Sequence, residues 1–158
     1  MIRRLAIVAI VVGLAGALWY LRDPAWLIDQ TTGLRAPERA ADGTGTRWTG
    51  GHASFFVPAA IRALRLRVAT TFDPREPGGD RPMLVTFTID DERAGRVLLM
   101  NADWQEVMLT LPSQGNRRFR RVDLRTSITR DGNHGVRVGE LKSTTDGQDW
   151  RPCCFSLR

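Results

Sequence analysis

The most hydrophobic segment of the chain is residues 5–21 (LAIVAIVVGLAGALWYL), a continuous apolar run that contains no charged residue. As a helix with a rise of about 1.5 Å per residue, it would extend roughly 25 Å. This length is close to the hydrocarbon core of a bilayer, which is about 30 Å thick. The pattern therefore predicts a helix that crosses a membrane once.

Two interpretations compete for this segment. A cleaved signal peptide needs basic residues, an apolar stretch and a small-x-small site, and cleavage after Ala17 would satisfy that pattern. However, the apolar character continues beyond Ala17, and Trp19 and Tyr20 stand where aromatic residues gather at a membrane interface. We therefore favour an uncleaved anchor over a signal peptide.

The charges around the run predict its orientation. Arg3 and Arg4 precede it, and positively charged flanks tend to stay in the cytoplasm. The arginines on the other side are accompanied by acidic residues, and long domains translocate largely regardless of charge. We expect a single-pass protein of the inner (cytoplasmic) membrane whose C-terminal domain is extracytoplasmic.

From residue 47 onward, hydrophobic and polar residues alternate with a period of two. Such alternation is typical of strands with one buried and one solvated face. The clearest case is residues 83–89 (MLVTFTI), and groups of Pro, Gly, Asp and Asn separate the segments. The predicted strands are residues 53–57, 62–71, 83–89, 96–100, 107–111, 120–128 and 135–141.

Short strands without intervening helices favour an all-β fold. We predict an antiparallel β-sandwich, jelly-roll-like, with a barrel as the second choice, preceded by one N-terminal transmembrane helix. Three regions follow from the pattern: residues 1–22 as the membrane anchor or signal peptide, 23–46 as a linker, and 47–158 as the extracytoplasmic domain. The linker prediction rests on the turn-forming composition of residues 31–45 (TTGLRAPERAADGTG).

Charge indicates the kind of partner. The formal net charge is +6, and Lys142 is the only lysine, so arginine carries almost all of the positive charge. A basic domain beside a membrane is attracted to anionic headgroups and to acidic polymers. An exported, anchored domain makes nucleic acid an unexpected partner, and we predict none.

The two cysteines are adjacent, Cys153 and Cys154. Three outcomes stay open for them: a structural or incidental pair, a redox-labile disulfide between them, or a bond to a partner. No second cysteine pair and no histidine pair at ligand spacing accompanies them, so neither a metal site nor any other cofactor is predicted.

Motifs for catalysis are absent from the sequence. There is no Gly-x-Ser-x-Gly, and the glycines of residues 44–51 lack the strand-then-helix context of a phosphate-binding loop. His52 and His134 are the only histidines; both are interpreted mainly as surface or structural residues, and His52 is kept as a candidate ligand-binding residue. Residues 90–92 (DDE) resemble a hairpin turn. A hydrolase that uses a pair of carboxylates is the least favoured hypothesis.

Tryptophans give the better binding hypothesis. Trp48, Trp104 and Trp150 each lie among polar, loop-type residues. An exposed indole can stack on the apolar face of a sugar while neighbouring polar groups bind its hydroxyls. In the alternative interpretation, Trp48 and Trp104 cap the ends of the core and their indole N–H groups find a loop partner.

Residues 116–121 (NRRFRR) form the densest charge cluster. Its arginines are candidates for contact with lipid phosphates or an anionic glycan. The alternative is a solvated strand whose charges protect a sheet edge from aggregation. The candidate residues are Arg117, Arg118, Arg120 and Arg121.

The order of these motifs resembles a known module. Residues 47–50 (RWTG), a hydrophobic strand ending at Pro58 and a late Gly-Val-x-Val-Gly at residues 135–139 occur in that order. They are similar to the small β-sandwich module near the C-terminus of some bacterial multi-pass membrane glycosyltransferases, which also occurs in single-anchor proteins. The resemblance covers residues 42–141. It implies an accessory module without catalytic residues, and the multi-pass region and acidic loop motif of the transferase are absent.

These observations favour a non-catalytic, membrane-anchored extracytoplasmic module. It would bind a glycan or glycolipid, or dock a membrane protein of the cell envelope. A structural or assembly subunit of an envelope complex is the alternative from another class.

Overall fold

The computed structural model describes residues 2–22, 24–39, 43–70, 82–112, 117–129 and 134–154. Turns predicted at residues 42–43, 113–116 and 131–133 lie wholly or partly outside them. The described residues contain two helices and nine strands. In chain order these are α1 (Ile2–Arg22), η1 (Ala25–Asp29), β1 (Thr31–Arg39), β2 (Gly45–Pro58), β3 (Ala63–Ala69), β4 (Met83–Ile89), β5 (Glu92–Leu99), β6 (Gln105–Thr110), β7 (Phe119–Thr126), β8 (Arg137–Thr144) and β9 (Arg151–Pro152).

Helix α1 covers the apolar run and ends shortly before Pro24, which cannot continue a helical hydrogen-bond ladder. Its large apolar and aromatic side chains are exposed, from 51% for Tyr20 to 69% for Leu18. Among the described residues, no helix combines the length and the apolar character that a membrane crossing needs. The helix itself is therefore present, whereas its prediction as a membrane span is not supported.

Strands β3 to β8 form where the alternation predicts them. In β4 every second residue, from Met83 to Ile89, is buried, and the threonines between them are partly exposed. The all-β, antiparallel prediction is confirmed, since every strand pair is antiparallel. The largest fully buried side chains are Phe55, Phe87, Leu64, Leu66, Met83, Ile89, Leu99, Leu109 and Leu124.

The sheet has the strand order β5-β4-β7-β2-β8-β3-β6, with β1 added to β2 and β9 to β8. Strand β2 joins its two halves, because its beginning pairs with β8 and residues 52–58 pair with β7. The end strands β5 and β6 approach each other, and a Cβ on Gly95 would lie 2.9 Å from a methyl carbon of Leu109. The sheet thus wraps around one core, in a shape between sandwich and barrel.

Strand β1 differs from the loop predicted for residues 31–45. It pairs with β2, and Leu34 packs against the core. The pairing has two register shifts, and Gly33 adopts a positive φ of 68°. Most of its side chains are exposed, so burial imposes no alternation on its sequence. The sheet therefore begins at residue 31 rather than at residue 47.

The hairpin between β4 and β5 is tighter than predicted. Its turn consists of Asp90 and Asp91 alone, since Ile89 pairs with Glu92. Both aspartates have positive φ, 50° and 71°, as the central residues of a type I′ turn do. Strand β5 consequently starts four residues earlier than the predicted residue 96.

The C-terminal part of the described chain returns to the sheet. Strand β9 pairs with β8 at Lys142 and Ser143. Cys153 and Cys154 are bonded to each other and pack against the core. Of the outcomes that the sequence left open, the structure has the disulfide between neighbours.

Candidate functional site

The three tryptophans predicted to bind ligand all lie outside the hydrophobic core. Trp48 is on β2, Trp104 immediately precedes β6, and Trp150 immediately precedes β9. All three are half-buried, and none belongs to the buried core cluster or packs against it. Their indoles therefore cover the outside of the sheet.

Strand β3 supplies two arginines to the same outer surface. Its apolar residues are buried, so the alternation of the strand points Arg65 and Arg67 away from the core. The guanidinium of Arg65 lies 4.3 Å from the centre of the Trp150 ring. The guanidinium of Arg67 lies 5.3 Å from the Trp104 ring.

Arg137 on β8 contacts both Trp48 and Trp104. Its guanidinium is 5.7 Å from the Trp48 ring centre and 5.3 Å from that of Trp104. Both distances lie within the range of cation–π attraction. The resulting surface runs across β2, β8 and β3, and we call it the Trp–Arg face. Its members are Trp48, Trp104, Trp150, Arg65, Arg67 and Arg137.

A glycine lets the central indole lie close to the sheet. A Cβ on Gly139 would be 3.3 Å from the six-membered ring of Trp104 and 3.4 Å from the Cβ of Arg67. The first distance is shorter than an ordinary van der Waals contact, and the second is at its lower limit. Gly139 therefore sets the height of Trp104 above β8.

Trp48 is fixed by polar contacts as well as by Arg137. Its indole N–H donates a hydrogen bond of 3.1 Å to Glu38 on β1. Its ring also meets the ring of His134 in a T-shaped contact, with centres 5.3 Å apart. The indole N–H thus has a partner, as the alternative interpretation expects, but this partner lies on a strand rather than in a loop.

Buried hydrogen bonds hold the start of β8 against β2. The Thr49 amide donates to the Val136 carbonyl at 2.8 Å, and the Thr49 carbonyl accepts from Gly135 at 2.7 Å. The hydroxyl of Thr49 accepts a further bond of 2.9 Å from the Val136 amide. Since Arg137 is the next residue, Thr49 positions the arginine beside Trp48, its cross-strand neighbour.

His52 is not part of the Trp–Arg face. Its ring nitrogen Nε2 is 2.9 Å from a carboxylate oxygen of Asp123 on β7. His52 is exposed and Asp123 is buried, so the histidine covers the polar group of a core-facing strand. The structure thus places this candidate with a carboxylate and apart from the tryptophans.

Most of the candidate arginines at residues 117–121 contact carboxylates. Arg120 is buried and donates to Asp90 at 3.0 Å, and Arg117 lies 3.9 Å from the same side chain. Arg121 bonds to Asp91 and Asp123. We call this group the arginine hairpin. It comprises Arg117, Arg118, Arg120, Arg121, Asp90, Asp91 and Asp123.

Electrostatics within the arginine hairpin favour the charged form of Arg121. The hydrogen bond to Asp123 raises the pKa of Arg121 above its ordinary value, and the nearby charges of Asp123 and Asp91 add to this, against partial burial. Arg118 lies 5.8 Å from the ring of Phe119. The aspartates considered for a hydrolase are thus engaged by arginines. Within the described part of the chain, no group of acidic, histidine or cysteine side chains could hold a metal ion.

Sequence reasoning missed the arginines that join the tryptophans. Arg65 and Arg67 were predicted only as the polar positions of a strand, and Arg137 was not singled out. The pairing of β8 with both β2 and β3 brings them together. A usable signal was present, since Arg65 and Arg67 occupy successive outward positions of one strand.

Comparisons with known proteins do not assign this chain to a family. No protein-family model matches the chain, and no curated protein matches it. The resemblance to a glycosyltransferase accessory module therefore stays a prediction. Similar solved structures do exist, and three of them are described next.

A family 35 carbohydrate-binding module from an environmental isolate is 14% identical and covers 77% of this chain and 92% of its own, with a TM-score of 0.48. The CBM36-1 domain of a xylanase from the hindgut metagenome of Trinervitermes trinervoides is 14% identical over 73% of this chain and 90% of its own, with a TM-score of 0.46. A family two carbohydrate esterase from Clostridium thermocellum, in complex with cellohexaose, is 8% identical over 78% of this chain, with a TM-score of 0.46. This chain spans 33% of the length of that esterase structure. With all three TM-scores below 0.5, these likenesses decide nothing about the ligand of this chain.

Proposed function

We propose that this chain is a non-catalytic module that binds a glycan through the Trp–Arg face. The observation that carries the proposal is the placement of three tryptophans outside the core, on one surface, with arginines between them. Indole rings offer flat apolar area for the C–H face of a sugar, and guanidinium groups donate hydrogen bonds to its hydroxyls. The rigid sheet beneath holds these groups in place before a ligand arrives.

The test is a glycan array with the full chain purified in detergent, followed by titration of the best ligand. Trp104→Ala is expected to weaken binding at least tenfold, because Trp104 is the central ring of the face. Trp26→Ala is the matched control, since Trp26 is exposed on η1 and lies outside the face. Unchanged affinity in a folded Trp104→Ala protein would remove the proposal.

A second variant changes the position of the Trp104 ring without removing the ring. Gly139→Val keeps every tryptophan but places a branched side chain where Trp104 now lies close to β8. We expect a several-fold weaker affinity for the same glycan. Equal affinity in this variant and the native chain would show that the height of Trp104 does not matter for binding.

We further propose that α1 attaches the module to the inner membrane, with the sheet domain outside the cytoplasm. Support comes from its apolar side chains, which are exposed to an extent that soluble surfaces rarely show. Extraction with alkaline carbonate tests the attachment, and protease access in spheroplasts tests the side. Release of the full chain into the carbonate supernatant would contradict it.

Docking to an envelope protein is the alternative role of the same surface. Half-buried Trp and Arg side chains are also the residues that protein interfaces favour. Recovery of one stoichiometric membrane protein with the native chain, lost in Trp104→Ala, would favour docking over glycan binding.

A further inference from the structure

Three acidic side chains near the Trp–Arg face already have partners. Glu106 lies 3.3 Å from Arg65, and Glu140 lies 3.2 Å from Lys142. Glu38 accepts the indole N–H of Trp48. Glu106 is also the cross-strand partner of Arg67, but its carboxylate pairs with Arg65 rather than with Arg67.

Arg67 and Arg137 are the remaining arginines of the face. Among the described residues, neither contacts a carboxylate; their recorded contacts are the rings of Trp48 and Trp104. The Nε atom of Arg137 is buried and has no hydrogen-bond partner in the described part of the chain, a feature that it shares with Arg65, so what distinguishes Arg137 is that it forms no ion pair there. A buried donor without an acceptor is uncommon, and aromatic rings offset a full charge less well than a carboxylate does.

We infer that the ligand of the Trp–Arg face is an anionic glycan, with a carboxylate or sulfate group that binds at Arg137 and Arg67. This inference rests on the proposed glycan-binding function and narrows it to acidic sugars. Both guanidinium groups lie 5.3 Å from the centre of the Trp104 ring, so a sugar bound there would carry its anionic group within reach of both. Guanidinium groups bind planar or tetrahedral anions through paired N–H donors, with charge-assisted hydrogen bonds.

The arginine hairpin does not offer the same site. Arg120 and Arg121 are engaged by Asp90, Asp91 and Asp123, so an incoming anion would have to displace carboxylates. Arg137 and Arg67 require no such displacement. The anion site is therefore assigned to β8 and β3 rather than to the densest arginine cluster of the sequence.

The experiment uses the full chain in detergent and pairs of oligosaccharides with the same backbone, one neutral and one carrying uronic acid or sulfate. The native chain is expected to bind the acidic member at least tenfold more tightly at low salt, and less so as salt increases. Arg137→Gln should abolish this preference while the weaker binding of the neutral member persists. Arg67→Gln should reduce the preference in part, and it tests the site even if Arg137→Gln fails to fold.

Arg96→Gln is the matched control, because Arg96 is an exposed arginine on β5, outside the face. Its preference should equal that of the native chain. Equal binding of neutral and acidic sugars by the native chain would overturn the inference and leave the proposed function intact. So would an unchanged preference in folded Arg137→Gln, or equally tight binding of single-stranded DNA. Binding of no sugar at all would overturn both proposals.

Discussion

The Trp–Arg face and the arginine hairpin both gather arginines on the outside of the sheet, but they balance the positive charge differently. In the hairpin, arginines meet aspartates from a turn and from β7. In the face, Arg67 and Arg137 meet aromatic rings. In the first arrangement three of the four arginines pair with carboxylates, and Arg118 lies near the ring of Phe119. In the second, Arg67 and Arg137 form no ion pair within the described residues, and we propose that they bind an anion. A dense arginine cluster in a sequence is therefore a weaker sign of an anion site than arginines placed between indoles.

The same comparison separates stability from binding. The arginine hairpin supports the turn between β4 and β5, in which Asp90 and Asp91 adopt positive φ. This conformation costs roughly 1 kcal/mol for an ordinary residue. Bonds from Arg120 and from the backbone and side chain of Arg121 to these aspartates offset that cost. Substitutions there should change folding, and those in the face should change ligand affinity.

The largest expected effect is on the support of the face. Gly135→Ala would place a Cβ against the backbone carbonyl of Gly50 and the hydroxyl of Thr49, both inside the β2–β8 junction. We expect a loss of about 3 kcal/mol in the free energy of unfolding, measured by urea titration. Gly13→Ala is the control, since a Cβ on Gly13 meets nothing within 4 Å. Unchanged stability of Gly135→Ala would mean that the junction is looser than described.

The second-largest effect on stability is expected in the arginine hairpin. Arg120→Met keeps the apolar part of a buried side chain but removes its bond to Asp90. Because Asp90 is partly exposed, we expect about 2 kcal/mol of lost stability rather than the full cost of a buried unpaired charge. The measurement is again urea unfolding, together with titration of the best glycan. Weaker glycan binding by the folded variant would contradict the separation of a stabilising arginine hairpin from a ligand-binding Trp–Arg face.

The smallest effect lies in the loop before Trp150. The amides of Gln148 and Asp149 and the hydroxyl of Thr144 donate to Asp146 and lower the pKa of its carboxyl from 3.8 to about 2. A lowered folded-state pKa stabilises the fold above pH 3.8, and this contribution is lost as the pH falls towards 2. The difference in urea midpoint between the native chain and Asp146→Asn should therefore shrink between pH 4 and pH 2.

Asp29→Asn serves as its control, because Asp29 is an exposed carboxylate at the end of η1. That variant should show no comparable change over the same pH range. A constant midpoint difference for Asp146→Asn from pH 6 to pH 2 would contradict the assigned cause.

Sequence patterns predicted the strands whose burial alternates and missed those whose burial does not. Strands β3 and β4 are clear because their inward positions are apolar and their outward positions polar. Strand β1 shows no alternation, because it is mostly exposed and its pairing is interrupted by register shifts. The beginning of β2 was missed for a related reason, since Gly50 and Gly51 interrupt its pattern.

The candidate site was predictable only in part. Trp48, Trp104 and Trp150 stood out because aromatic residues among polar ones are unusual in loops. Their meeting on one face depends on the pairing of β8 with β2 and β3, which connects residues far apart in the sequence. No local pattern specifies which strands become neighbours, and so the role of Arg137 became visible only in three dimensions.

The exposed position of β1 and its interrupted register have a mechanical consequence. This strand is the first part of the sheet to follow α1 and η1 along the chain. Its nine residues contribute little buried surface beyond Leu34, and they would detach and extend by roughly 30 Å. The core would stay folded, and the Trp–Arg face would lose only the bond from Trp48 to Glu38. If α1 attaches the module to a membrane, as proposed, β1 would detach under tension before the strands that carry the Trp–Arg face.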